Sequence, residues 1–209
     1  GAFDFYKQAT KAGVQPIIGI EAYVAPESRF DKKRVQWADG GEDDVSGGGA
    51  YTHMTILAEN NQGLANLFRL SSLASLEGYY YKPRMDRELI SRYADGLIAT
   101  TGCPGGEIQT RLRMGNYKEA LRAASDYRDI FGANNFFLEV MDHQIDIESR
   151  VKADLLKLGK DLKLPLLATN DLHYTRHEDA AAHEALLCVQ SGSTLADPKR
   201  FKFDNDEFY

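Results

Sequence analysis

Five short apolar runs, PIIGIEAYV, HMTILA, GLIATT, FFLEVM and LPLLAT, are separated by segments whose apolar residues recur at helical spacing. That alternation leaves few folds open. Apolar strands joined through amphipathic helices predict a parallel sheet covered on both faces, hence an α/β fold. Helices are expected over 62–75, 86–93, 106–113, 117–131, 146–162 and 176–190. A further one opens the chain in FDFYKQATKAG, where Phe3, Tyr6 and Ala9 fall near one face and Gly13 follows its end. Thr175 and Glu178 have the spacing of a capping box ahead of the last helix. The polar, glycine-rich stretch at 26–50 reads as a long surface loop or insertion, and no internal repeat is present.

The chain of 209 residues, 43% of them hydrophobic, is long enough for one sizeable core, as one domain or one plus a small appendage. A formal charge of -6 excludes a domain that holds nucleic acid by overall charge alone; such a partner would need a local basic patch, metal ions or a neighbouring domain. Cys103 and Cys188 are too few for a disulfide framework. No apolar run approaches the roughly 18 residues that span a bilayer, and no signal peptide opens the chain, so no membrane partner and a cytoplasmic location are expected. The start at Gly1 without a methionine and the close in FKFDNDEFY read as a segment of something longer.

In a parallel α/β sheet the carboxyl ends of the strands carry the site. Glu21 lies towards the end of the first strand, Cys103 just past GLIATT and Asp171 just past LPLLAT. If extended geometry continues through Leu172, Asp171 and His173 project together. His53, at the start of HMTILA, falls at the wrong end for this scheme. Carboxylate, imidazole and thiol donors suit a borderline or transition metal, with Cys103 tilting the set towards zinc. Each residue also has a plainer reading: a loop acid at Asp171, a surface imidazole at His173, an ion-pair partner at Glu21. Cys103 is alternatively a nucleophile at a helix N-terminus, though the loop TGCPGGEI lacks the arginine that a phosphate-cradling cysteine loop carries. His143 suits the rim of a site, His177 and His183 a solvent-facing or packed place on the last helix, and Cys188 the core. In SLEGYYYKPRMD, Tyr79, Tyr80 and Tyr81 beside Lys82 and Arg84 are open to two readings: a stacking and phosphate-contacting surface for a single nucleic-acid strand, or a packed tyrosine cluster.

The segments PIIGIEAYVAP, HMTILAEN, EGYYYKPRMD, GLIATTGCPGGEI and LLATNDLHYTRHEDAAAHEALLCVQSG closely resemble the PHP (polymerase and histidinol phosphatase) domain family, in the branch carried by bacterial replicative DNA polymerase III alpha subunits. The resemblance covers nearly all of residues 1–209, apart from about 28–49, with an approach to the polymerase core at about 196–209. It implies a distorted (β/α)7 barrel with a trinuclear centre of divalent metal ions, zinc favoured and manganese or magnesium as alternatives. By this resemblance Glu21 is the bridging carboxylate, His53 and Cys103 its companions on the second metal, Asp171 a ligand of the first and His173 of the third. Asp171 and His173 are expected to take the catalytic roles, and on their residue types Tyr80, Tyr81, Lys82 and Arg84 are the candidate nucleic-acid contacts. The family's N-terminal strand and first ligand segments are expected before Gly1, which leaves five of nine ligands here, an incomplete barrel and about one intact metal site. The implied chemistry is 3′ to 5′ exonucleolytic proofreading by phosphodiester hydrolysis within a DNA-polymerising nucleotidyltransferase. The implied partners are the DNA 3′ end, the remaining polymerase domains and other replisome subunits. The alternatives are an inactive structural module of the polymerase and a stand-alone phosphoesterase.

Overall fold

A computed structural model describes residues 1–37 and 46–209. Its strands are β1 (Gly19–Val24), β2 (Thr52–Ala58), β3 (Arg84–Met85), β4 (Leu97–Thr100), β5 (Phe136–Val140) and β6 (Leu166–Ala168). Its helices are α1 (Ala2–Lys11), α2 (Asn61–Leu76), α3 (Arg87–Arg92), α4 (Glu107–Arg113), α5 (Tyr117–Phe131), α6 (Asp146–Leu162) and α7 (Ala180–Ser191). Short 3-10 turns at Ser46–Gly49 and His177–Asp179 complete them. The middle of the glycine-rich stretch, 38–45, lies outside the described residues.

The strands form one open sheet in the order β3-β1-β2-β4-β5-β6. This is an α/β fold with the character of an incomplete barrel, because the outer strands do not hydrogen-bond to one another to close it. The expectation of an all-parallel sheet needs correction. β1 with β3, and β4, β5 and β6 in turn, are parallel, but β2 is antiparallel to both β1 and β4. Parallel neighbours need a crossover, usually helical, whereas the described part of the 25–51 connection contains only the 3-10 turn at Ser46–Gly49. The two-residue β3 is too short to be seen as a periodic run.

The expectation that helices cover both faces is likewise corrected. Ala22 and Val24, Met54 and Ile56, Leu97 and Ala99, and Phe136 and Leu138 alternate onto one face and pack in a single core with residues of α2 to α6. The intervening residues, Glu21, Tyr23, His53, Thr55, Thr100 and Glu139, share the opposite face through the strand register. Helix starts follow local chemistry. Asn60 accepts the Gly63 N–H at 3.0 Å and Asp86 the Leu89 N–H at 2.9 Å, caps of about 1 kcal/mol each. The last helix starts differently from the Thr175–Glu178 expectation: the Arg176 N–H donates to the Asp179 carboxylate at 3.1 Å, one residue further on.

Candidate metal centre

The reversal of β2 places His53. A strand running against β1 and β4 begins where they end, so its first residues reach the edge that carries the others. His53 lies opposite Tyr23 in the ladder, two residues beyond Glu21. Its N–H donates to the Gly105 carbonyl at 3.1 Å, tying β2 to the TGCPGG loop. That loop turns tightly enough that a Cβ on Gly106 would stand 2.2 Å from the Thr101 carbonyl oxygen, which reserves the position for glycine.

Glu21, His53 and Cys103 converge, each offering one donor atom within 4.8 Å of the others. His53 Nδ1 stands 3.1 Å from Glu21 Oε1 and 3.4 Å from Cys103 Sγ. The hydrogen bond from His53 holds the Glu21 carboxyl below its ordinary range, against the opposing effect of burial. Burial, followed by the charge of Asp171, pushes the Cys103 thiol up to about 12. An activated nucleophile needs the opposite shift, so this environment disfavours the nucleophile reading. It fits a metal ligand: a thiol among carboxylates ionises when a cation is supplied, and oxygen, nitrogen and sulfur donors together suit zinc.

Asp171 and His173 arrive by a route other than strand alternation. β6 ends at Ala168, and Asp171 adopts a left-handed φ of 41°, so extended geometry does not continue to His173. Burial raises the Asp171 pKa, the His173 charge lowers it, and Glu21 and Glu139 raise it further. His173 Nδ1 lies 2.6 Å from the carbonyl oxygen of Asp171. A carbonyl only accepts, so Nδ1 carries a proton and Nε2 is the nitrogen left to act as a ligand.

Further features surround these residues. Glu139 is buried, with one carboxylate oxygen accepting the Thr100 hydroxyl and the other the Thr169 hydroxyl at 2.5 Å. An acid inside FFLEVM was the available signal, masked by its apolar neighbours. His143 is fully buried and not at a rim, between Glu148 Oε1 at 2.5 Å and the Asn170 carbonyl at 2.9 Å, and it stacks on Phe208 at 4.0 Å. The 203–209 segment also closes on the site loop, with the His173 N–H donating to the Phe208 carbonyl at 2.9 Å. A second grouping, His177, Asp206 and Glu207, lies exposed at the surface.

The nucleic-acid candidates separate. Tyr81 is exposed, and Tyr80 and Lys82 are half-buried. Arg84 has no exposed surface: its guanidinium donates to the carbonyls of Gly78, Ala50, Arg29 and Asp31. Arg84 is a buried anchor of the connecting loops, so it is removed from the set of strand contacts.

A converging Glu, His and Cys at the edge of an open α/β sheet defines a candidate metal centre. The family described as "PHP domain" matches residues 1–143, and the chain belongs to it. Over its whole length the chain is similar to proteins named DNA polymerase III subunit alpha: 61% identical to that of Saccharopolyspora erythraea, 59% to that of Mycobacterium tuberculosis and 47% to that of Thermus aquaticus. The chain spans 18%, 18% and 16% of those relatives' lengths. Asp171 and His173 fall beyond the family match but within these full-length similarities. No helix among the described residues is long and apolar enough to cross a membrane.

Proposed function

We propose that this chain is the metal-dependent phosphoesterase part of a bacterial replicative DNA polymerase, acting in the cytoplasm within the replisome to remove nucleotides from a DNA 3′ end. The observation that carries this reading is the convergence of Glu21, His53 and Cys103 in a chain 61% identical to a polymerase alpha subunit. Zinc is the favoured ion, and in the complete domain the centre is trinuclear. A metal held there would lower the pKa of a coordinated water towards about 7 and neutralise charge on phosphoryl oxygens.

The chain's own residues do the rest. Glu21, His53 and Cys103 would supply three donors, the usual protein complement of a catalytic zinc. Asp171 adds a carboxylate beside them. His173 would hold a further ion through Nε2, because its Nδ1 is committed to the Asp171 carbonyl. Clamping both the attacking and the leaving oxygen needs more than one ion. This chain alone therefore binds close to one zinc and cleaves negligibly, whereas the whole polymerase degrades a mismatched 3′ end.

Metal analysis of this chain, together with a 3′-mismatched primer assay on the polymerase and its Asp171→Asn variant, tests the reading. Loss of degradation with nucleotide addition retained is expected. Robust cleavage by this chain alone, or unchanged degradation by the variant, overturns it.

A further inference from the structure

The overall charge hides a local concentration of cations. Lys32 donates to the Tyr79 carbonyl, the Arg34 guanidinium stands 5.1 Å from the Tyr81 ring centre, and Lys82 Nζ lies 5.5 Å from the Tyr23 ring centre. Among the described residues none of these three cations has a carboxylate partner, whereas Lys33 beside them pairs with Glu27 at 2.9 Å. Two of these charges stand against aromatic rings and the third is held at the backbone of Tyr79, a local positive patch in a chain of net charge -6.

The rings are not packed away. Tyr79 and Tyr81 are 57% and 58% exposed, against the packed-cluster reading. Tyr81 is held at a φ of 60° by a tight turn in which the Tyr80 N–H donates to the Lys82 carbonyl at 3.0 Å. A left-handed tyrosine is a costly conformation, and here it leaves the ring facing outward. Tyr80 does something different, lying 5.0 Å from the Arg84 guanidinium and covering that buried anchor.

From this patch an aromatic path leads inward. Tyr23, under Lys82, stands edge-on to Tyr51 at 4.9 Å and to His53 at 5.4 Å, and Tyr51 stacks on His53 at 5.8 Å. Exposed rings for base stacking, cations for phosphates and a continuous route to the donor cluster are what a single nucleic-acid strand requires. We propose that Lys32, Arg34, Tyr79, Tyr81 and Lys82 form an entry track that feeds a single-stranded 3′ end past Tyr23 to the Glu21–His53–Cys103 site. The track extends the phosphoesterase reading, but its binding can be measured without metal.

Fluorescence anisotropy of a labelled oligothymidylate on the full chain, in excess chelator and across a salt series, tests it. Tyr81→Ala should weaken binding roughly 5- to 100-fold, the loss of about one stacked base. Lys82→Ala should weaken binding and reduce the salt slope by about 0.7. Lys33→Ala, which removes the same charge from a paired lysine, should change neither, and thermal melts should show all three variants folded. Absence of binding by the unaltered chain, a Tyr81→Ala variant that binds equally, a Lys33→Ala loss matching that of Lys82→Ala, or displacement by polyglutamate as efficient as by unlabelled oligothymidylate overturns the track. Chelator removes any contribution from hydrolysis, so failure of the track and failure of the phosphoesterase reading remain distinct results.

Discussion

Glu139 is expected to hold the site in register without ligating metal. Both its carboxylate oxygens are occupied by the hydroxyls of Thr100 and Thr169, and its own N–H donates to Thr101 Oγ1 at 2.9 Å. Thr100 ends β4, three residues before Cys103, and Thr169 follows β6, two residues before Asp171. One side chain thus clamps the two strand ends that deliver a thiol and an acid. Glu139→Ala removes two hydrogen bonds to a charged group, worth about 1.5 kcal/mol each at the low end of their range. Part of that loss is offset, because Glu139 is also one of the charges that raise Asp171 and Cys103. A net loss of roughly 2–3 kcal/mol should lower the melting temperature by about 4–12 °C at this chain length. Zinc affinity should fall about 10- to 100-fold, the usual cost of removing a residue that orients metal ligands. Glu139→Gln can keep both threonines bonded after their hydroxyls rotate, so it should retain the thiolate-to-cobalt absorption of the cobalt-loaded chain, which Glu139→Ala should weaken. Calorimetric titration, melting curves and that absorption band form the assay. Unchanged melting and zinc affinity in Glu139→Ala refute the clamp; a Glu139→Gln variant as damaged as Glu139→Ala shows that charge, and not position, is what matters.

Cys103→Ser should lose most zinc binding, and alkylation of Cys103 in the metal-free chain should still be rising about tenfold per pH unit between pH 8 and 10, because its thiol is pushed up to about 12; a plateau near pH 9 contradicts this. Burial opposes charging His143, but its bonds to Glu148 and to the Asn170 carbonyl raise its pKa above the ordinary 6.5. Its contribution to stability is therefore full below pH 6.5 and lost as pH rises through the folded value; urea midpoints should show that fall, and His143→Gln should flatten it. Asp171→Asn should raise the melting temperature of the metal-free chain, and a lower melting temperature refutes this. Asparagine tolerates the left-handed backbone at 41°, and the acid, whose pKa is raised by burial and by Glu21 and Glu139, costs stability as pH climbs from 3.8 to its raised folded value and holds that cost above it.

These residues also show where a sequence gives up its site and where it does not. Glu21 and Cys103 were legible because apolar runs locate strand ends, and strand ends locate loops. The strand pattern did not place His53, which only the family resemblance brought to the site, because a periodic run reports that a strand exists and says nothing of its direction; the connection before β2, whose described part holds only the 3-10 turn at Ser46–Gly49, reverses it. Glu139 and Arg84 failed for a related reason. Hydropathy identifies both as polar residues near strands, but whether a charge faces solvent or is enclosed depends on partners 30 to 55 residues away, Thr169 for the acid and the Arg29 and Asp31 carbonyls for the guanidinium.

The same long-range closure accounts for the cost built into this face of the sheet. Buried Glu139, half-buried Asp171 and Glu21 at the exposed edge are gathered on this face, and the two glutamates raise the Asp171 pKa, a repulsion that a divalent cation would relieve. A purely structural module gains nothing from retaining an acid in a left-handed conformation beside two others. The expected rise in stability of Asp171→Asn without metal, set against its expected loss of 3′-end degradation in the polymerase, therefore separates a site kept for chemistry from one kept for shape.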